Sequence, residues 1–65
     1  ERMEFILDKM KACERFHFSD LISPDSSLIM VVTTFIAILE LTRLRRLRLQ
    51  QPEPFADIEC IVHHD

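Results

Sequence analysis

The last three residues, His63, His64 and Asp65, are of types that bind zinc, and Cys60 lies just upstream. Adjacent histidines at a fraying terminus do not converge on one ion, so no metal site is expected there. Asp57 and Glu59, two residues apart on a strand, share one face, the arrangement of a paired-carboxylate acid/base site. Arginines lie beside them and no pocket is implied, so a structural ion pair is the expectation. Ser26 and Ser27 follow Asp25, but that grouping reads as a helix cap, and no nucleophile with its base is found. "RLRRLR", Arg43 to Arg48, has the chemistry to grip phosphates. Its plainer reading is a solvated strand face paired with Asp57, Glu59 and acidic groups on a partner. His17, between two phenylalanines, is expected to point to solvent. No catalytic residue, cofactor or metal is expected.

The totals bound what the chain can be. Sixty-five residues suffice for one small domain with one modest core. With 48% hydrophobic and 29% charged residues, the composition is that of a folded chain. There is no glycine, which rules out a glycine-rich phosphate cradle. Turns must then be built from Pro, Ser and Asp, and any positive φ falls on Asp or a strained residue. A net charge of -3 weighs against nucleic acid as the main partner. Cys13 and Cys60 have no framework spacing and are expected to be buried free thiols in a reducing cytoplasm. No signal peptide is visible.

These residues need elements to place them. "ERMEFILDKMKACER" puts Met3, Ile6, Leu7, Met10 and Cys13 on one helical stripe, with Phe5 at its edge. Phe16 and Phe18 alternate with His17 in a short strand, and Ser19 is placed to cap a helical turn through Asp20, Leu21 and Ile22. Pro24 marks a break. A third helix is expected from about residue 26 to 43. Its apolar run is about fourteen residues, short of the roughly twenty that span a bilayer. Projected at about 100° per residue, Leu28, Val32, Phe35 and Leu39 form one row, flanked by Ile29 and Ile36 and by Val31 and Ile38. Met30, Ala37, Leu41 and Leu44 fall nearly opposite. One small core cannot cover so much, so part of this helix must meet another protein. By richness alone the Phe35 row reads as core, and the sparse row of Met30, Ala37 and Leu41 as the contact face.

The end of the chain reads as a β-hairpin. Leu47 and Leu49 alternate with arginines, and Ala56, Ile58, Cys60 and Val62 alternate with Asp57, Glu59 and Ile61. A turn at "PEP" puts Leu49 opposite Ile58, Leu47 opposite Cys60 and Arg48 opposite Glu59. The whole order is helix, short strand, short helix, long helix and two-stranded wing. That is an α+β winged helix with three helices.

At "VVTTFIAILELTRLRRLRLQQPEPFADI" the chain resembles the C-terminal winged-helix domain of kleisins, in particular the segregation and condensation protein A family. The family pattern is a Phe, an "LAxLEL" helix end, a basic strand, a Gln and a Phe-Gly-Asp-Ile-like strand. Here these are Phe35, "IAILEL" at 36–41, Gln51 and "PFADI" at 54–58, with "FSDLI" at 18–22 similar to the family's second-helix segment. The resemblance covers about residues 16–62. Ala56 stands where Gly is usual, which puts any special backbone geometry there in doubt.

The resemblance implies a non-enzymatic domain, residues 1–65, excised from a longer chain. Such domains bind the cap side of the ATPase head of a structural-maintenance-of-chromosomes (SMC) protein. Other kleisin regions bind the second head's neck and a small ScpB-like accessory subunit. The ring so closed serves chromosome condensation and segregation, in the cytoplasm at the nucleoid, with DNA met only through the complex and no membrane. Phe35, Leu39 and Gln51, with Pro54 and Phe55, match the family positions carried over as head contacts. The alternative is a winged-helix DNA-binding regulator, and a third reading is a homodimer through the same apolar face.

Overall fold

The computed structural model describes residues 2–64. Helix α1, Arg2–Ala12, carries Glu4 in its first turn and Lys9 and Lys11 in its last, the polarity that a helix dipole favours. Its stripe is the expected one. Ile6 is fully buried, and Met3, Leu7, Met10 and Cys13 are packed against the core. Strand β1, Arg15–His17, buries Phe16 and exposes Arg15 and His17. The second helix expected is a single 3-10 turn, Phe18–Leu21. Its cap also differs: the Asp20 carboxylate accepts the His17 N–H at 2.9 Å. Ser19 does not cap it, because Ser19's hydroxyl and amide both donate to the distant Asp57. Leu21 from this turn enters the core.

Ser23 to Ser26 form a turn around Pro24, closed by Ser26 N–H to Ser23 C=O at 2.9 Å. Ser27 then caps helix α2, Leu28–Arg43, its hydroxyl accepting the Met30 N–H at 3.2 Å. The buried residues of α2 are Thr34, Ala37, Ile38 and Leu41. Ala37 and Leu41 of the sparse row thus face the core, with Thr34 and Ile38, while Met30 and Leu44 stay exposed; the expectation that the Phe35 row fills the core is reversed. Side-chain size explains the choice. Small residues at 34 and 37 let α1 and the sheet approach, whereas the bulky branched row cannot be enclosed by so few elements.

Thr34 is the one fully buried polar side chain among the described residues. Its hydroxyl donates to Met30 C=O at 2.7 Å and accepts Arg2 Nε–H at 3.0 Å. A second Arg2 nitrogen donates to Leu21 C=O at 2.8 Å, and the guanidinium lies 4.7 Å from the centre of the Phe5 ring. One side chain thus ties α1, α2 and the 3-10 turn together.

Helix α2 ends in a Schellman arrangement. Arg46 N–H reaches Leu41 C=O at 2.8 Å, and Arg45 N–H reaches Thr42 C=O at 3.0 Å. The residue that reverses the chain is Arg45, at φ 63°. Glycine normally serves here because a Cβ is crowded in the left-handed region. The positive φ thus falls neither on Asp nor at Ala56.

Strands β2, Leu47–Gln50, and β3, Glu59–Val62, complete an antiparallel sheet in the order β1-β3-β2. The hairpin register differs from expectation by two residues: Leu47 faces Val62, Arg48 faces Ile61 and Leu49 faces Cys60. A shift of two preserves which side chains point inward, so the core parity still holds. Its cause lies outside the hairpin. Phe18 N–H binds Ile58 C=O at 2.9 Å, and Ser19 binds Asp57. Residues 57 and 58 are drawn to the 3-10 turn, and the link between strands widens from "PEP" to residues 51–58. Glu59 consequently pairs with Arg15 on β1 at 3.2 Å, not with Arg48. Both cysteines are free, Cys60 buried and Cys13 half-buried, where both were expected buried.

Two outcomes follow. Arg45→Gly relieves the left-handed turn and stabilises the domain by about 1 kcal/mol, a rise of roughly 4–8 °C in Tm by circular dichroism. Arg2→Ala leaves Leu21 C=O without its charged donor and lowers stability by about 1–3 kcal/mol in urea titration.

Candidate protein-docking site

The outward side of α2 is a continuous apolar strip. Leu28 and Ile29 are each 78% exposed, Ile36 59%, Val32 47%, Leu39 44% and Phe35 38%. Repeats at i, i+4 from Leu28 through Val32 to Ile36, and from Phe35 to Leu39, keep them on one side. Phe35 is the best anchored, because Phe18 meets it edge to face, with centroids 5.9 Å apart and planes at 88°. On the α1 side the strip runs into a concavity of about 490 Å³, where Met3, Met30, Ile36 and Ala37 are flanked by Arg2, Thr33 and Glu40. Arg43 holds Glu40 through two guanidinium nitrogens, at 3.1 and 2.5 Å.

The loop 51–58 forms the other border. Glu53 to Ala56 make a turn, with Ala56 N–H on Glu53 C=O at 3.0 Å. Pro54 takes its second position and Phe55 its third, at φ 67°. Positive φ at the third position alone is the sign pattern of a type II turn, where glycine is usual. Phe55 sits there fully exposed. A bulky residue in the left-handed region costs about 1–2 kcal/mol, and such strain is concentrated at functional sites. The loop is braced from within. Gln51 Nε2 donates to Ala56 C=O at 2.7 Å, and Asp57 receives both donors of Ser19. Phe18 joins the two borders, touching Phe35 with its ring and Ile58 through its backbone.

The residues expected to make contact thus divide. Phe35 and Leu39 lie on the open strip, and Pro54 and Phe55 lie on the exposed turn. The Gln51 amide is engaged inside its own loop, the local role that its position near a turn also allowed. Leu28, Ile29, Val32 and Ile36 join the surface because the strip faces out. Small residues at 34 and 37 were the available signal, since a helix packs closely along its small side chains.

Asp57 is bound to Ser19 and Glu59 to Arg15, so the two carboxylates are not a dyad. Burial, reinforced by the charges of Asp57, Asp20 and Glu59, pushes the Cys60 thiol up to about 11. Among the described residues no His, Cys, Asp and Glu group could hold a metal ion. The expected frayed tail is ordered at His63, whose N–H donates to Arg46 C=O at 3.0 Å, and His64 lies 3.4 Å from Glu14. Asp65 lies outside the described residues. His17 is exposed, as expected. No helix among the described residues is long and apolar enough to cross a membrane.

The Ser19 hydroxyl, helped by the amides of Ser19 and Ile58 and by His17, holds Asp57 below the usual carboxylate range, against burial. A group with a lowered folded-state pKa stabilises the fold in full above its unfolded value, and that contribution is lost as pH falls through the folded one. Urea midpoints should therefore drop between pH 7 and pH 3. Asp57→Asn should lower the midpoint at pH 7 and make the drop smaller.

Comparison with known proteins converges on one description. The family "Segregation and condensation protein ScpA" matches residues 2–62. The chain is 36% identical over 58 residues to a segregation and condensation protein A of Clostridium acetobutylicum, covering 89% of this chain and 23% of that protein. A protein of the same name from Lactiplantibacillus plantarum is 44% identical over 48 residues, covering 74% of this chain and 19% of the relative. Another, from Halothermothrix orenii, is 46% identical over 41 residues, 63% of this chain and 17% of the relative. The chain thus spans about a fifth of the length of these relatives.

Proposed function

The chain belongs to the segregation and condensation protein ScpA family, and from that membership we propose that residues 1–65 are the C-terminal winged-helix domain of a longer kleisin. The 3-10 turn and α2 take the places of the second and third helices, and β2 and β3 form the wing. The domain is non-enzymatic. It docks on the cap side of an SMC ATPase head and so closes the ring that serves chromosome condensation and segregation. A ScpB-like subunit meets other regions of the kleisin. The protein works in the cytoplasm at the nucleoid.

The observation that carries this reading is the uncovered strip of α2. Leu28, Ile29, Val32, Phe35, Ile36 and Leu39 give a partner an apolar centre of the kind that dominates interface energetics. Phe55, presented outward by its left-handed turn, adds an aromatic anchor beside Pro54. Gln51 contributes by bracing that turn. The outer edge of β2 is open for strand addition to the head's sheet. The alternative, a regulator reading DNA bases through its long helix, is disfavoured by the same strip. Aliphatic side chains cannot satisfy the donors and acceptors of base edges.

The test is titration of an isolated SMC head with this chain. Leu39→Glu should weaken binding by at least about thirtyfold while circular dichroism stays native. Phe35→Glu should do the same, with a further stability loss from the Phe18 contact. Full affinity in both variants would sink the proposal.

A further inference from the structure

We infer that the outward face of the sheet, together with the turn after α2, binds the phosphate backbone of duplex DNA. The register sets side chains on this face in rows. Arg48 and Arg15 flank Ile61, and Gln50 and His17 flank Glu59. The bond from His63 N–H to Arg46 C=O extends the ladder by one pair, so Arg46 and His63 share the face. Within a chain of net charge -3, basic groups are thus gathered on one side. The acid among them, Glu59, is held by Arg15.

The arginines here differ from those elsewhere in the chain. Arg2 is bound to Thr34 and Leu21, and Arg43 to Glu40. Arg45, Arg46 and Arg48 are exposed and make no ion pair with a described residue. Their guanidinium forks keep their donors for an outside oxyanion. Arg45 adds a second observation. It occupies a left-handed turn position where glycine would be more stable, so a charged side chain is held there against the local backbone preference. Arg45 and Arg48 also line one shallow concavity of about 300 Å³.

Phosphate suits this face better than an acidic protein does. Protein partners need apolar anchors, and the rows offer only the half-buried Ile61. A polyanion needs only cations in reach of its oxygens. No Phe, Tyr or Trp lies in the rows to offer a broad stacking platform to unpaired bases, which favours duplex over single strand. Contacts of this kind position a protein on DNA without reading sequence, and the acids elsewhere keep the attraction weak and salt-sensitive.

The experiment is fluorescence anisotropy of a labelled mixed-sequence duplex titrated with this chain at rising salt, with a poly-glutamate peptide as competitor. Arg46→Gln/Arg48→Gln should bind roughly sixtyfold more weakly at 0.1 M salt, the slope of log K against log salt falling by about two. Arg45→Gly should lower the slope by about one while raising Tm. Three results would overturn the inference: no binding by the wild type at low salt, unchanged slopes in the variants, or displacement of DNA by poly-glutamate at equal charge concentration. Native circular dichroism of each variant keeps these results separate from misfolding.

Discussion

One core is all that this chain can close, and α2 enters it by its narrow side. Thr34, Ala37, Ile38 and Leu41 are the helix's buried residues, and two of the four are small. That choice lets Ile6 of α1, Phe16 of β1 and Leu47 and Cys60 of the hairpin meet around the helix. It also leaves the bulky branched residues outside. The arrangement is held by Arg2, which supplies donors to a threonine hydroxyl that would otherwise accept nothing and to the carbonyl end of the 3-10 turn. The uncovered strip is a consequence of how the core is built.

The absence of glycine shapes the rest of the surface. Among the described residues two positions adopt positive φ, and they fall on Arg45 and Phe55. Each is exposed and each borders a surface assigned here to binding. In a fold without glycine a left-handed position can only be filled by a residue with a Cβ, at a cost in stability. Large side chains at the two proposed surfaces would make that cost understandable: one presents a charge, the other an aromatic ring. The strained turn at Phe55 is kept in shape by Gln51 from one side and by the Ser19–Asp57 link from the other.

The two proposed surfaces use different physics on different elements. The α2 strip offers hydrophobic burial, which salt does not screen and which favours another protein. The sheet face offers fixed positive charge, which is salt-sensitive and favours phosphate. Because the strip belongs to α2 and the arginines to the turn and the outer sheet face, a protein head and a DNA duplex need not compete for the same side chains.

Element types and inward parity were legible in the amino-acid order. The α1 stripe, the Phe16 strand, an α2 capped from among Asp25, Ser26 and Ser27, and the Leu47/Leu49/Cys60/Val62 alternation all follow from local periodicity and cap chemistry. So did the excess of apolar surface on α2, and the family resemblance pointed to Phe35 and Leu39. The direction in which α2 faces was not legible. Periodicity ranks rows by greasiness, whereas packing selects the row that neighbours can approach, and small Thr34 and Ala37 won that contest. The hairpin register likewise depended on Ser19 and Phe18 gripping Asp57 and Ile58, contacts between distant parts of the chain that no local pattern encodes. Sequence fixes what each segment can form; tertiary contact decides which face is hidden, because burial is settled by shape and reach among several elements at once.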